Sequence, residues 1–147
     1  MTRVMGAGPA ASLASRSSSA SPAYQAYLIL YFGFLALPII AGLDKFLHIL
    51  CEWEHYLAPF VAQRLPVSPH TFMLAVGVIE VAAGILVALW PRVGAYVVLL
   101  WLLGIIVNLL LLGSDYDVAL RDFGLALGAL ALARLSHGFG STRQPGL

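Results

Sequence analysis

Residues 69–90 read PHTFMLAVGVIEVAAGILVALW, a run in which Glu80 is the only charged side chain. At 1.5 Å per residue such a run covers a hydrocarbon core about 30 Å thick, so it predicts a membrane-crossing helix. Ser68 ahead of Pro69 supplies an N-cap and a proline for the first helical position, and Pro91 closes the run. Glu80 stands eleven residues beyond Pro69, roughly 16 Å into the helix and near the bilayer midplane. A carboxylate at that depth is costly, and such groups are usually functional.

Outward from this run, three more spans are expected: about 24–43, 92–112 and 117–135. The first ends at Asp44 and Lys45. The third has no charge after Arg92 and is followed by Gly113, a helix-ending signal. The fourth is the least apolar, because Arg121 and Asp122 lie inside it. The whole composition agrees: 147 residues, 61% hydrophobic, 10% charged, with a mean hydropathy of +0.90. That mixture excludes an ordinary soluble globular domain. The apolar runs are also too continuous for alternating barrel strands. The expected fold is all-α, a membrane-embedded four-helix bundle occupying residues 23–136.

Residues 1–22, rich in Ser, Ala and Gly, carry Arg3 and Arg16 but no acid, and are expected to form a disordered tail; a processed targeting peptide is the alternative. Residues 137–147 are expected to be a flexible C-terminal tail. Four spans put Arg3, Arg16, Arg92, Arg134 and Arg143 on one side of the membrane with no acid, and a net charge of −3 on the other. Positive charge favours the cytoplasm, so both termini are expected there, in a bacterial plasma membrane. The formal net charge of +1 gives no footprint for nucleic acid. Membrane lipid and a second copy of the chain are candidate partners.

Gly77 and Gly84 flank Glu80 at helical spacing, and Gly124 and Gly128 repeat a GxxxG pattern in the fourth span. Small residues allow close helix contact, so both faces are expected to pack inward. Glu80 and Asp122 are then candidate proton-handling residues, and Lys45, His48, Asn108 and Arg121 complete a candidate polar cluster nearer the outer surface. Burial favours the neutral form of a lone carboxyl, so Glu80 is expected to be largely protonated unless Lys45 or Arg121 reaches it. The bland alternative is that these groups only fix how the helices meet.

Between the first two spans, Lys45, His48, Glu52 and His55 fall on one helical stripe and Phe46, Leu50, Trp53 and Leu57 on another. The spacing predicts an amphipathic, interfacial helix over Asp44 to Pro59. His48, Cys51 and His55 are weak candidate metal ligands on that helix, but one helix does not easily close a tetrahedral site, and a partner such as His70 would be needed. No metal is therefore expected. Cys51 is the only cysteine, which excludes an internal disulfide and a cluster held by four thiolates of one chain.

Three motifs carry a family resemblance: Ala41-Gly42-Leu43-Asp44-Lys45, Gly77-Val78-Ile79-Glu80-Val81-Ala82-Ala83-Gly84, and Leu120-Arg121-Asp122. Their order and spacing, across about Tyr24 to Leu135, resemble the DoxX family of small four-helix membrane proteins. The resemblance implies a four-helix membrane bundle. It also implies links to quinone-dependent oxidation of thiosulfate or sulfite, or to membrane oxidoreductase complexes that answer redox stress. On that basis the chain is expected to be a non-autonomous membrane subunit of a quinone-linked redox or redox-stress complex, with redox partner proteins and with a quinone as the candidate cofactor. A membrane scaffold or chaperone, or a small proton-coupled transporter, is the alternative.

Overall fold

The computed structural model describes residues 21–140, which are helical throughout apart from short connections. Four long helices dominate: α1 (Pro22–Leu47), α3 (Pro69–Leu89), α4 (Pro91–Leu112) and α5 (Tyr116–Phe139), with the one-turn α2 (Pro59–Ala62) between the first two. The start signal expected at Ser68 acts, and Ser21, placed by the sequence in the N-terminal tail, caps α1 in the same way. Ser21 and Ser68 each precede a proline and accept a hydrogen bond from a backbone N–H three residues on, at Tyr24 and Thr71. Gly113, at φ 79°, ends α4 in the left-handed region that glycine enters without a Cβ penalty.

α1, α3 and α4 are long and apolar enough to cross a membrane. α5 matches them in length but carries Asp117, Arg121, Asp122 and Arg134. α1 extends one turn beyond its expected end at Leu43. α5 runs on to Phe139, so the start of the expected C-terminal tail is helical. The expected N-terminal tail and the last seven residues lie outside the described residues, apart from Ser21 and Pro22.

Each long helix packs on the next in sequence, and α5 closes back on α1. α1 runs antiparallel to α3, since Gly42 meets Gly77, Ile39 meets Gly84, and the Tyr31 hydroxyl donates to the Ala88 carbonyl. It is antiparallel to α5 as well: Phe34 lies against Gly128, and Tyr24 and Tyr27 against Phe139. The common core draws on all four, with Tyr27, Phe34, Val87, Val98 and Leu132 interleaved with Ala83, Ala95, Ala129 and Ala133. Alanines at these contacts let the backbones approach, as they do where lipid removes any hydrophobic drive between helices. The outer faces carry the large apolar side chains instead, Ile29 and Leu100 being 72% and 68% exposed. So much outward apolar surface calls for an apolar solvent or partner.

The amphipathic helix expected over Asp44 to Pro59 does not form. α1 stops at Leu47; His48 adopts the left-handed conformation (φ 53°, ψ 43°), residues 49–52 have no regular structure, and Trp53–Tyr56 make a single 3₁₀ turn. The cause is local. Oδ1 of Asp44 accepts the backbone N–H groups of Ile49 (3.0 Å) and Leu50 (3.1 Å), which gives those donors a partner outside any continued helix.

Candidate functional site

The crossing of α1 and α3 creates the site. A Cβ added to Gly42 would lie 2.6 Å from the Gly77 carbonyl oxygen, and one added to Gly77 would lie 2.7 Å from that of Gly42. No other residue fits either position without moving backbone. This close approach brings Lys45, one turn beyond Gly42, to Glu80, three residues beyond Gly77. Lys45 Nζ donates to Glu80 Oε2 at 2.6 Å, and the two residues are only 3% and 8% exposed. The inward direction expected for Glu80 from its glycine neighbours is observed.

Of the two cations considered able to reach Glu80, it is Lys45 and not Arg121 that does so. The far side of the ammonium is covered as well. Lys45 Nζ sits 3.6 Å from the centroid of the Trp53 ring, a cation–π contact worth about 2 kcal/mol when desolvated. The same indole donates its Nε1–H to Asp44 Oδ2 at 2.8 Å. Asp44, Lys45, Trp53 and Glu80 therefore form one chain of alternating charge, closed by the backbone N–H groups of Ile49 and Leu50 on Asp44. Sequence reading missed the parts played by Asp44 and Trp53. The helical spacing puts Trp53 on the apolar stripe of an interfacial helix, and no periodic signal relates residues nine apart through a reversal of the chain.

The rest of the expected polar cluster is dispersed. The Asn108 side chain donates to the Tyr56 carbonyl (2.6 Å) and accepts from the Ala58 N–H (3.0 Å), pinning the loop to α4. Asp122 is buried, with Arg121 Nε 3.5 Å from its Oδ1, while Arg121 itself points outward, its side chain 69% exposed. Among the described residues, no hydrogen bond or ion pair joins Asn108, Asp122 and the Lys45–Glu80 pair. The glycine pattern of α5 is half used: Gly128 receives the Phe34 ring, whereas Gly124 has nothing within 4 Å of an added Cβ. A GxxxG spacing marks one face, but helix rotation here puts only one of its glycines at a contact.

His48 belongs to a separate group. Its Nε2 lies 3.5 Å from Glu54 Oε1, and His70 Nδ1 lies 2.7 Å from the same oxygen. The two imidazoles stack with centroids 5.5 Å apart. The His70 hydrogen bond is the main influence holding the Glu54 carboxyl below the usual carboxylate range. Cys51 and His55, placed with His48 on a predicted helix, are not in this group; His55 instead faces Asp115 at 3.7 Å.

Comparison with known proteins finds no matching family model, no matching curated sequence and no matching solved structure.

Proposed function

We propose that the chain is a DoxX-like, four-span integral membrane protein that serves as a membrane subunit in quinone-linked redox chemistry, its buried acid–base pair exchanging protons with a bound head group. The observation that carries this reading is the meeting of Lys45 and Glu80. Two of the three runs that carry the resemblance, around Gly42 to Lys45 and Gly77 to Gly84, come together at one point, and the residues that meet there form a buried, hydrogen-bonded acid–base pair. Quinone reduction takes up protons with its electrons, and the electron chemistry itself belongs to the cofactor and its redox partners. Asp122 is the second acid of this reading: it is buried, and its one ionic neighbour is an exposed arginine. In this topology α5 is the fourth span, both termini are cytoplasmic, and the loop from His48 to Ser68 lies on the outer face of a bacterial plasma membrane.

A specific observation favours the scaffold reading as well. Each member of the Asp44, Lys45, Trp53 and Glu80 chain already has its partner, as a purely structural clasp requires.

One experiment separates the two. The protein is solubilised in mild detergent with its native lipid, and quinone is extracted and quantified against the Lys45→Gln/Glu80→Gln double variant and Asp122→Asn, with thermal melting followed in parallel. Near-stoichiometric quinone that is lost in the double variant at unchanged fold supports the redox reading. Quinone-free protein, or quinone content indifferent to both changes, leaves the scaffold reading.

A further inference from the structure

We propose that His48, Glu54 and His70 form a binding site for one divalent transition-metal ion of the zinc class. The proposal is independent of the redox reading, because none of the three residues belongs to the Lys45–Glu80 chain.

The three donors come from three different segments. His48 follows the last residue of α1, Glu54 lies in the 3₁₀ turn, and His70 is the second residue of α3. One ligand atom from each lies within 4.8 Å of the others. A tetrahedral zinc ion with bonds of about 2.0 to 2.1 Å sets neighbouring donors about 3.3 Å apart. The His48–Glu54 separation of 3.5 Å already approaches that value. The His70–Glu54 separation of 2.7 Å must open by roughly 0.6 Å to reach the tetrahedral spacing. His70 and Glu54 are partly to largely exposed, so small side-chain rotations suffice.

The residue types suit the ion. Two neutral imidazoles and one carboxylate are borderline donors that bind zinc and its first-row neighbours, and they leave a fourth coordination position free. Glu54 also lines a shallow cleft with Leu57, Pro59, Ala62, Gln63 and Pro69, through which an outside ligand could reach that position.

His48 supplies a further argument. It is the only non-glycine residue with positive φ among the described residues. Glycine is the usual occupant of such a helix-ending position, because a Cβ is disfavoured in the left-handed region. The left-handed turn brings the imidazole to Glu54 and His70, which a helical His48 on the predicted stripe would not do. The expectation of no metal assumed that one helix carried all the donors. The reversal at His48 removes that objection.

The test uses full-length protein prepared without a histidine tag, stripped of metal in detergent and titrated with Zn²⁺, with Co²⁺ as a spectroscopic substitute. The expected result is one ion per chain, a Co²⁺ visible spectrum without a thiolate charge-transfer band, and at least tenfold weaker binding in His48→Gly, Glu54→Gln and His70→Ala. His48→Gly suits the left-handed position, so it removes the ligand while keeping the turn. Cys51→Ser and His55→Gln should bind as tightly as the parent. Absence of binding at micromolar Zn²⁺ near neutral pH would overturn the site. So would affinity unchanged by the three substitutions, since the ion would then be held elsewhere, or a thiolate band that disappears in Cys51→Ser.

Discussion

Lys45 and Glu80, 35 residues apart in sequence, share a 2.6 Å hydrogen bond inside a contact so close that neither Gly42 nor Gly77 beside it has room for a Cβ. The pair and the glycines depend on each other: the short interhelical distance lets a lysine reach, and the neutralised charges allow two apolar helices to close over them.

Removing one member of the pair should be worse than removing both. Breaking a buried pair strands a charge at a cost of about 3 to 5 kcal/mol, whereas exchanging both partners for apolar groups of similar volume is often close to neutral. Lys45→Met and Glu80→Leu singly should therefore lower the melting temperature in detergent strongly, and the double variant should recover most of the loss. Additive losses in the double-mutant cycle would mean that the two side chains are not coupled.

The glycines divide by contact. Gly42→Ala and Gly77→Ala press a methyl group onto a backbone carbonyl and should cost about 1 to 3 kcal/mol, as overpacking does. Gly33→Ala and Gly124→Ala meet nothing within 4 Å and should be neutral or stabilising by up to about 1 kcal/mol, from helix propensity. Melting curves of the four variants provide the measurement, and Gly124→Ala matching Gly42→Ala would contradict the observed rotation of α5.

Trp53 acts through both its ring and its N–H. Trp53→Phe keeps an aromatic face for Lys45 but loses the hydrogen bond to Asp44, and should cost about 1.5 to 3 kcal/mol, the range for a bond to a charged group. Trp53→Leu loses the cation–π contact too and should be the less stable of the two. Equal stabilities would show that the ring contributes nothing to holding the ammonium.

Asn108 holds two backbone groups of the loop, one of them the N–H of the fully buried Ala58. Asn108→Leu leaves that donor unsatisfied, at about 1 to 3 kcal/mol. The effect should be local. Amide hydrogen exchange should quicken around Tyr56 to Ala62 while the middles of α3 and α4 stay protected; uniform quickening would place Asn108 in the core network instead.

Cys51 should be a slow thiol at neutral pH. Burial first, then the Asp44 carboxylate, push its pKa above the ordinary thiol value. Only the thiolate reacts, so labelling by a membrane-impermeant maleimide near pH 7 should lag behind that of a small free thiol and keep rising with pH after the free thiol has levelled off. A rate profile matching the free thiol would refute the shift. Labelling only after permeabilisation would instead reverse the proposed orientation, which puts Cys51 outside.

Local chemistry made much of the fold legible in the sequence. Span length, the Ser68 cap with its proline, and the Gly113 terminus depend on residues within one or two turns, and the start of α3 and the end of α4 follow them. The inward face of Glu80 was readable for a similar reason, since Gly77 and Gly84 lie on the same stripe. What failed was periodicity over Asp44 to Pro59. A helical stripe assumes that the backbone continues, and here Asp44 takes the N–H groups that the next turn would have used, so the chain reverses at His48.

The sequence by itself determined that the chain is built from long apolar helices and that Glu80 lies at mid-helix facing other helices, because length, hydropathy and glycine spacing are properties of single segments. Only the tertiary structure decided which cation meets Glu80, that Trp53 covers it, that Arg121 turns outward, and that His48 joins Glu54 and His70 rather than Cys51 and His55. Those outcomes depend on the rotation of each helix about its axis and on the path of the loop, and both are set by packing between residues far apart in the chain.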